Sequence, residues 1–422
     1  MKQRNKLFGR RQFLGTTLAL GASAHASSLT TEETPDTVSR ALSDNIYTRV
    51  LGVRPHLGAH EHISRLGGSR MREETMEAMA EANRYFVDMD ELNDAAGRRV
   101  AELLGAPAAM VTAGGFSAMI LGAAACLTGT DEEKCDALPH PTWPKRECLM
   151  QTRHRFGYDR AYRAAGMTIV EAAREDELVG KISDNTAMIA ALAAVEEQRV
   201  FGPPKPKKRA LPPEEDTLMP AELIAIGKRA GVPVLVDMAS DLPPASNLTR
   251  WIRAGADLVV VSGGKGLRGP QSSGILAGRQ DLIEAARLNA SPNGNIGRGM
   301  KVGKEEIVAL IVALEAYVER DHARDIEIWS ERARWLANEL RGIPGVTAEY
   351  AVNTKGYADV DLSWDEAVIP LTQAELKERL MAGEPRMTYD GTTVRVRQLT
   401  EAEIGLVART LRKLFESLVA TG

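Results

Sequence analysis

Three short stretches carry residue types that can do chemistry together. The turn Thr112-Ala113-Gly114-Gly115-Phe116-Ser117 leads from the apolar run Met110 to Thr112 into an Ala-rich run that reaches Leu127. Glycines between a strand and a helix let a ligand approach the backbone N–H groups, and a helix N-terminus favours an anion. The turn is therefore a candidate phosphate cradle, with hydroxyls from Thr112 and Ser117. Asp237 closes the apolar run Val232 to Val236. A carboxylate at the carboxyl end of such a strand can pair with a protonated ring nitrogen. Lys265 follows the apolar run Leu258 to Ser262, within Ser262-Gly263-Gly264-Lys265-Gly266. Its small neighbours leave room for a bulky ring against the backbone, and Arg268 is a nearby cation that favours the neutral, nucleophilic amine.

Each stretch alone has an ordinary reading: a tight turn, a capping carboxylate, a loop lysine. Together they give a phosphate site, a partner for a pyridine nitrogen and an amine for a Schiff base. That set implies pyridoxal 5'-phosphate (PLP), bonded to Lys265, with Asp237 keeping the ring an electron sink.

The elements around them alternate. Strands are expected at Met167–Ala172, Ala187–Val195, Val232–Val236, Leu258–Ser262 and Gly274–Ala277, with helices at Leu92–Leu104, Ala221–Ala230 and Leu248–Ala254. This pattern predicts an α/β fold, a mostly parallel sheet flanked by helices, with a smaller α+β domain. The expected division is an export signal over 1–26, a linker over 27–40 and an N-terminal segment over 41–90 that joins the small domain. A large domain over 91–335 follows, closed by one long helix from Glu305 to Trp335, and then the small domain over 346–422. Residues 202–220 break the alternation and read as a Pro-rich surface insertion.

A net charge of −4 and the absence of a basic stripe exclude an ordinary nucleic-acid binder. Cys126 reads as core, and Cys135 and Cys148 are left open between free and paired. The absence of C-x-x-C argues against a zinc or redox centre. At the start of the chain, Arg10-Arg11-Gln12-Phe13-Leu14, an uncharged stretch to Ala24 and Ala24-His25-Ala26 resemble a twin-arginine export signal. It is shorter than the about 20 apolar residues of a transmembrane helix. The expectation is a periplasmic or otherwise exported protein, with no membrane attachment after cleavage.

Several longer motifs resemble one family. Leu66-Gly67-Gly68-Ser69, Phe86-Val87-Asp88-Met89-Asp90-Glu91-Leu92, Ser262 through Lys265 to Gln271, and Gly297-Arg298-Gly299-Met300-Lys301-Val302-Gly303-Lys304 are similar to the selenocysteine-synthase-like (SelA-like) family of fold-type-I PLP-dependent transferases. Within it they are nearest the D-glucosaminate-6-phosphate ammonia-lyase branch. The resemblance implies Lys265 as the Schiff-base lysine, Asp237 as the ring-nitrogen partner, Gly114 and Gly115 at the phosphate, and a homodimer or higher homo-oligomer. It also implies a lyase that carries out α,β-elimination on a hydroxylated amino acid or amino-sugar acid, giving a 2-oxo acid and ammonia. Selenium transfer on seryl-tRNA and transamination are the alternatives. Phe116, Ser117 and Ser262 complete the expected cofactor contacts. His154 is an expected catalytic residue, and Arg155, Arg268, Arg298, Lys301 and Arg397 are expected substrate contacts. Lys304 and Arg395 are weaker candidates of the same kind. His56, His60 and His62 are candidate acid–base groups, with metal binding disfavoured.

Overall fold

The computed structural model describes residues 33–197 and 211–419. The twin-arginine segment and residues 202–210 of the expected insertion lie outside these residues. The strands are β1 (Leu57–Ala59), β2 (Ala108–Thr112), β3 (Glu147–Gln151), β4 (Thr168–Ala172), β5 (Thr186–Leu192), β6 (Val234–Asp237), β7 (Leu258–Ser262), β8 (Gly274–Gly278), β9 (Val346–Val352), β10 (Ala358–Trp364), β11 (Met387–Tyr389) and β12 (Thr393–Val394). Seven of them form the main sheet in the order β2-β8-β7-β6-β5-β3-β4. Only β8 runs against the others.

These strands read as continuous apolar runs because both faces are covered. Alternate residues enter opposite cores. Leu235 and Leu258 pack on one face with Met110, Leu121 and Met150. Val236 and Val259 pack on the other with Val111, Leu149 and Ile275. The helix Gly115–Thr128 is buried along nearly its whole length, which is why its sequence is apolar without an evident polar face.

The second body is built on the antiparallel sheet β12-β10-β9, with β1 and β11 paired in parallel beside it. Its core joins Leu57 and Ala59 to Leu336, Val360, Leu380 and Phe415. The N-terminal segment is therefore shared. Residues 57–59 sit in the small core, while the helix Glu73–Ala82 packs on the helix Lys304–Glu319 of the large one.

Two expected elements differ. The single helix from Glu305 to Trp335 is two helices, Lys304–Glu319 and His322–Glu339. Arg320 is extended, and the Asp321 carboxylate accepts from Arg324 N–H at 3.0 Å as an N-cap. The second helix buries Trp329, Ala333 and Leu336 in the small core. The linker is also shorter than expected. Pro35–Ser43 is a helix, capped by Thr34 and packed on the C-terminal helix Glu401–Val419. Cys135 and Cys148 are buried free thiols, and the partly buried Cys126 packs on the same core as Cys148.

Candidate active site

The ends of three strands lie side by side. Thr112 and Ser262 both face Gly274, from the two sides of β8. Asp237 pairs with Val260, two residues before Ser262. At the end of β2, Gly114 has φ +87°, and the first amide bonded within the following helix is that of Ala118, to Gly114 O at 3.1 Å. The N–H groups of Gly115, Phe116 and Ser117 are therefore left at the helix end. A methyl group built on Gly115 would lie 3.2 Å from Ala239 Cβ and 3.8 Å from Ser262 Cβ. The cradle thus sits within a side chain's width of the Asp237 turn and of the end of β7. The two hydroxyls expected to assist turn inward. Ser117 Oγ donates to Ala113 O at 2.9 Å, and Thr112 Oγ1 to Gly114 O at 3.1 Å. The donors of this cradle are its backbone amides.

Asp237 is buried, and its Oδ1 accepts from Ala239 N–H at 2.9 Å. Burial pushes its carboxyl above the usual range, while the Ala239 amide and the charge of Lys265 pull it back. A buried carboxylate whose neighbouring charge is a lysine would be steadied further by a pyridinium.

Lys265 sits in a turn closed by Arg268 N–H to Lys265 O and Gly269 N–H to Gly263 O, both 2.9 Å. Its glycines serve the protein and not a ring. A side chain on Gly264 would meet Gln271 Cα at 2.5 Å, and one on Gly266 would meet Leu242 O at 2.5 Å. The backbone of the turn is packed against two other loops. From a distance of 195 positions, Ser69 Oγ donates to Gly264 O at 2.7 Å, with Lys265 O at 3.1 Å. Sequence reasoning missed Ser69 as a site residue, although the Leu66–Ser69 motif marked its segment.

The cavity at Lys265 is small, about 50 Å³. It draws Glu61 and His62 from the N-terminal segment, Arg320 and His322 from the helix junction, and Arg397 from the small domain. Arg397 is held by Glu61 at 2.6 Å and Asp359 at 3.4 Å. A second contact between the bodies lies beside it. Lys355 Nζ, in the turn between β9 and β10, reaches Glu197 at 2.6 Å and Asp241 at 3.2 Å. Burial raises the Asp241 carboxyl to about 6, against the pull of Lys355 and with a smaller push from Glu197.

The family of L-seryl-tRNA selenium transferase (SelA) matches residues 215–331, which contain Asp237 and the Lys265 turn. A 5'-C-glycyluridine monooxygenase-decarboxylase from a Streptomyces species is 34% identical over 337 residues, 79% of this chain and 82% of that one. The D-glucosaminate-6-phosphate ammonia lyase of Salmonella typhimurium is 25% identical, over 89% of this chain and 99% of its own. A solved D-glucosaminate-6-phosphate ammonia-lyase superposes with a TM-score of 0.76, at 24% identity over 89% of this chain and 99% of its own. The chain belongs to the SelA-like family of PLP-dependent enzymes. Its fold is that of the fold-type-I members.

The residues present fit the cofactor of this SelA-like enzyme: amides at a helix end for the phosphate, Asp237 for the ring nitrogen and Lys265 for the aldehyde carbon. Other expected residues lie elsewhere. His154 is fully buried, with Nε2 donating to Leu218 O at 2.7 Å and Nδ1 accepting from Leu192 N–H at 2.9 Å. Burial lowers its pKa to about 4. Both ring nitrogens tie backbone together, so His154 is not placed to move protons. Arg155 is buried against Asp159 at 2.5 Å and against Glu171, and it does not line the Lys265 cavity. Arg298 and Lys301 line a separate cavity of about 400 Å³ with Met89, Asp90 and Thr112. Lys304 lines it too and pairs with Glu305 at 3.5 Å. Arg395 is engaged by Asp359 at 2.8 Å and Asp390 at 3.3 Å. His56 and His60 face each other, Nε2 to Nε2, at 3.1 Å outside the Lys265 cavity. Of the three histidines, His62 is the one that reaches the Lys265 cavity.

Proposed function

We propose that the chain is a lyase that removes water from a small amine substrate, an amino acid or amino-sugar acid with a β-hydroxyl, and that the enamine formed tautomerises to an imine that water hydrolyses to a 2-oxo acid and ammonia. The observation that carries this reading is the make-up of the Lys265 cavity: one lysine, the His62 imidazole and the pre-positioned Arg397 guanidinium share it. Elimination needs a base at Cα and an acid at the β-oxygen. Lys265 Nζ takes the α-proton, and His62 gives a proton to the departing hydroxyl, which leaves as water. Arg397, fixed by Glu61 and Asp359, orients the substrate carboxylate. Asp237 holds its charge beside the ring nitrogen, and the amides of Gly115, Phe116 and Ser117 hold the phosphate. Bound PLP supplies the electron sink that makes the α-proton acidic.

The test is an assay of the PLP-loaded protein with a panel of hydroxylated amino acids under nitrogen. Equal yields of 2-oxo acid and ammonia, lost in Lys265→Ala and strongly reduced in His62→Gln, are expected. The Streptomyces relative, the more identical of the two, favours a second reading, because it is named for an oxidative decarboxylation. Carbon dioxide release that requires oxygen would replace elimination with that chemistry. Dependence on an added 2-oxo acid would indicate transamination. The net charge of −4 disfavours a tRNA substrate, and weak, salt-insensitive tRNA binding is the expected control result.

The protein is further proposed to act as a homo-oligomer, and to be exported on the strength of its Arg10-Arg11 segment. Finding the uncleaved chain only in the cytoplasm of fractionated cells would sink the export proposal.

A further inference from the structure

A second compartment, of about 430 Å³, adjoins the Lys265 cavity and shares Arg268, Arg320, Asp325 and Arg397 with it. Arg70 and Arg332 add to its wall. Three of these five arginines are in contact with carboxylates of the protein. Arg70 is gripped by both oxygens of Glu403, at 2.6 and 2.7 Å. Arg320 is paired with Asp325, and Arg397 with Glu61 and Asp359. Arg268 and Arg332 have no carboxylate partner among the described residues. Arg268 Nε donates to Arg70 O at 2.8 Å, and Arg332 donates through one terminal nitrogen to Leu399 O at 2.8 Å. Arg332 Nε is buried with no acceptor.

Two further observations point the same way. Arg268 is the only residue other than glycine with a left-handed backbone among those described, at φ +58°. Such strain persists where the surroundings impose it, and it gathers at functional sites. Here it accompanies a guanidinium turned into the cavity beside Lys265. Burial also holds the affinity of both Arg268 and Arg332 for their protons below the ordinary value, with Arg70 adding repulsion at Arg268. Two partly buried guanidiniums that no carboxylate touches among the described residues, and whose burial Asp325 and Glu403 offset only in part, gain from the arrival of an anion.

We propose that Arg268 and Arg332 form a subsite for an oxyanion of about two negative charges, of the phosphate class, next to the reacting centre. Planar guanidiniums suit such a group because each can offer paired N–H donors. The α-carboxylate is already provided for by Arg397. The subsite therefore takes a second acidic group, either one carried by the amine substrate or a free anion. The inference rests on the elimination reading only for its link to turnover, and the binding is measured independently of turnover.

The probe is inorganic phosphate, titrated calorimetrically into the PLP-loaded protein, in which the Gly114–Gly115 cradle is filled. One saturable event is expected, weakened roughly tenfold or more in Arg332→Gln and in Arg268→Gln, and partly restored in Arg332→Lys. Melting curves without phosphate establish that each variant is folded. Competition between phosphate and the amine assigns the subsite to a group on the substrate, and simultaneous binding assigns it to a free anion. Affinity unchanged in both glutamine variants, or lost in Arg298→Gln instead, overturns the proposal. If no amine is turned over but phosphate binding still depends on Arg332, the elimination reading fails and the subsite stands.

Discussion

Lys265 and His154 show what a single side chain reveals of itself in sequence. Lys265, Asp237 and the Gly114–Gly115 turn were legible because each ends or follows an apolar run, so the neighbouring residues state where it lies. His154 looked equally suggestive after β3, but its ring is fixed by groups 38 and 64 positions away, which no local pattern records. The two residues make opposite predictions. Lys265→Ala leaves no pyridoxyl mass on the chain after borohydride and lowers the rate by about 10²–10⁴-fold from loss of the base alone. Replacing His154 with Phe leaves kcat per folded molecule within a few-fold but costs about 2 kcal/mol of stability, because two buried backbone groups lose their partner. The pH dependence has a definite sign. A histidine depressed to about 4 in the folded protein gains its proton more readily when unfolded. Stability contributed by neutral His154 is thus present above about pH 6.5 and lost as pH falls toward 4, and denaturant melts across that range should show this slope flattened in the variant.

At the scale of elements, the main-sheet strands were predictable from composition, since burial on both faces demands unbroken apolar runs. The break at Arg320-Asp321 was not, because neither glycine nor proline marks it and helical periodicity resumes at once. The interruption is made by the Asp321 cap. Asp321→Ala should therefore cost about 1 kcal/mol, seen as a lower melting temperature, and should also disturb the site, because Arg320 and His322 flank that residue in the Lys265 cavity. The Lys265 turn gives a sharper test of how one element is held by another. Ser69→Ala removes the hydroxyl that ties the N-terminal segment to Gly264 O, so PLP should leave more readily on dialysis while the global melting temperature changes little. Gly264→Ala is expected to do far more. Its new methyl would stand 2.5 Å from backbone, which cannot yield as a side-chain tip does, and PLP should no longer be retained at all. Equal retention by both variants and the parent would mean the turn is positioned by something other than these contacts.

For the whole molecule, the α/β core and the small domain were readable, but the path of the N-terminal segment was not. That segment enters the small core at Leu57, supplies Glu61 and His62 to the cavity, clamps the lysine turn through Ser69 and then crosses to the large core. Each step depends on partners more than 190 positions later, such as the Gly264 carbonyl. The same segment and the turn after it leave apolar side chains in water. Ile46, Val50 and Leu51 are each more than 60% exposed, and Phe86 is fully exposed. Phe86 opens a motif that is otherwise organised, for Asp88 caps the next helix through the amides of Asp90 and Glu91. A fully exposed phenylalanine beside an ordered cap is placed to be covered by another molecule, and a second copy is the partner always present at matching concentration. Light scattering should therefore give twice the chain mass or more at micromolar protein. Phe86→Ser combined with Leu51→Asn should shift that mass toward one chain without lowering helix content, since neither side chain contributes to a core. Should the parent protein scatter as a single chain throughout, the apolar stretches serve some other partner, and the active site must be complete within one subunit.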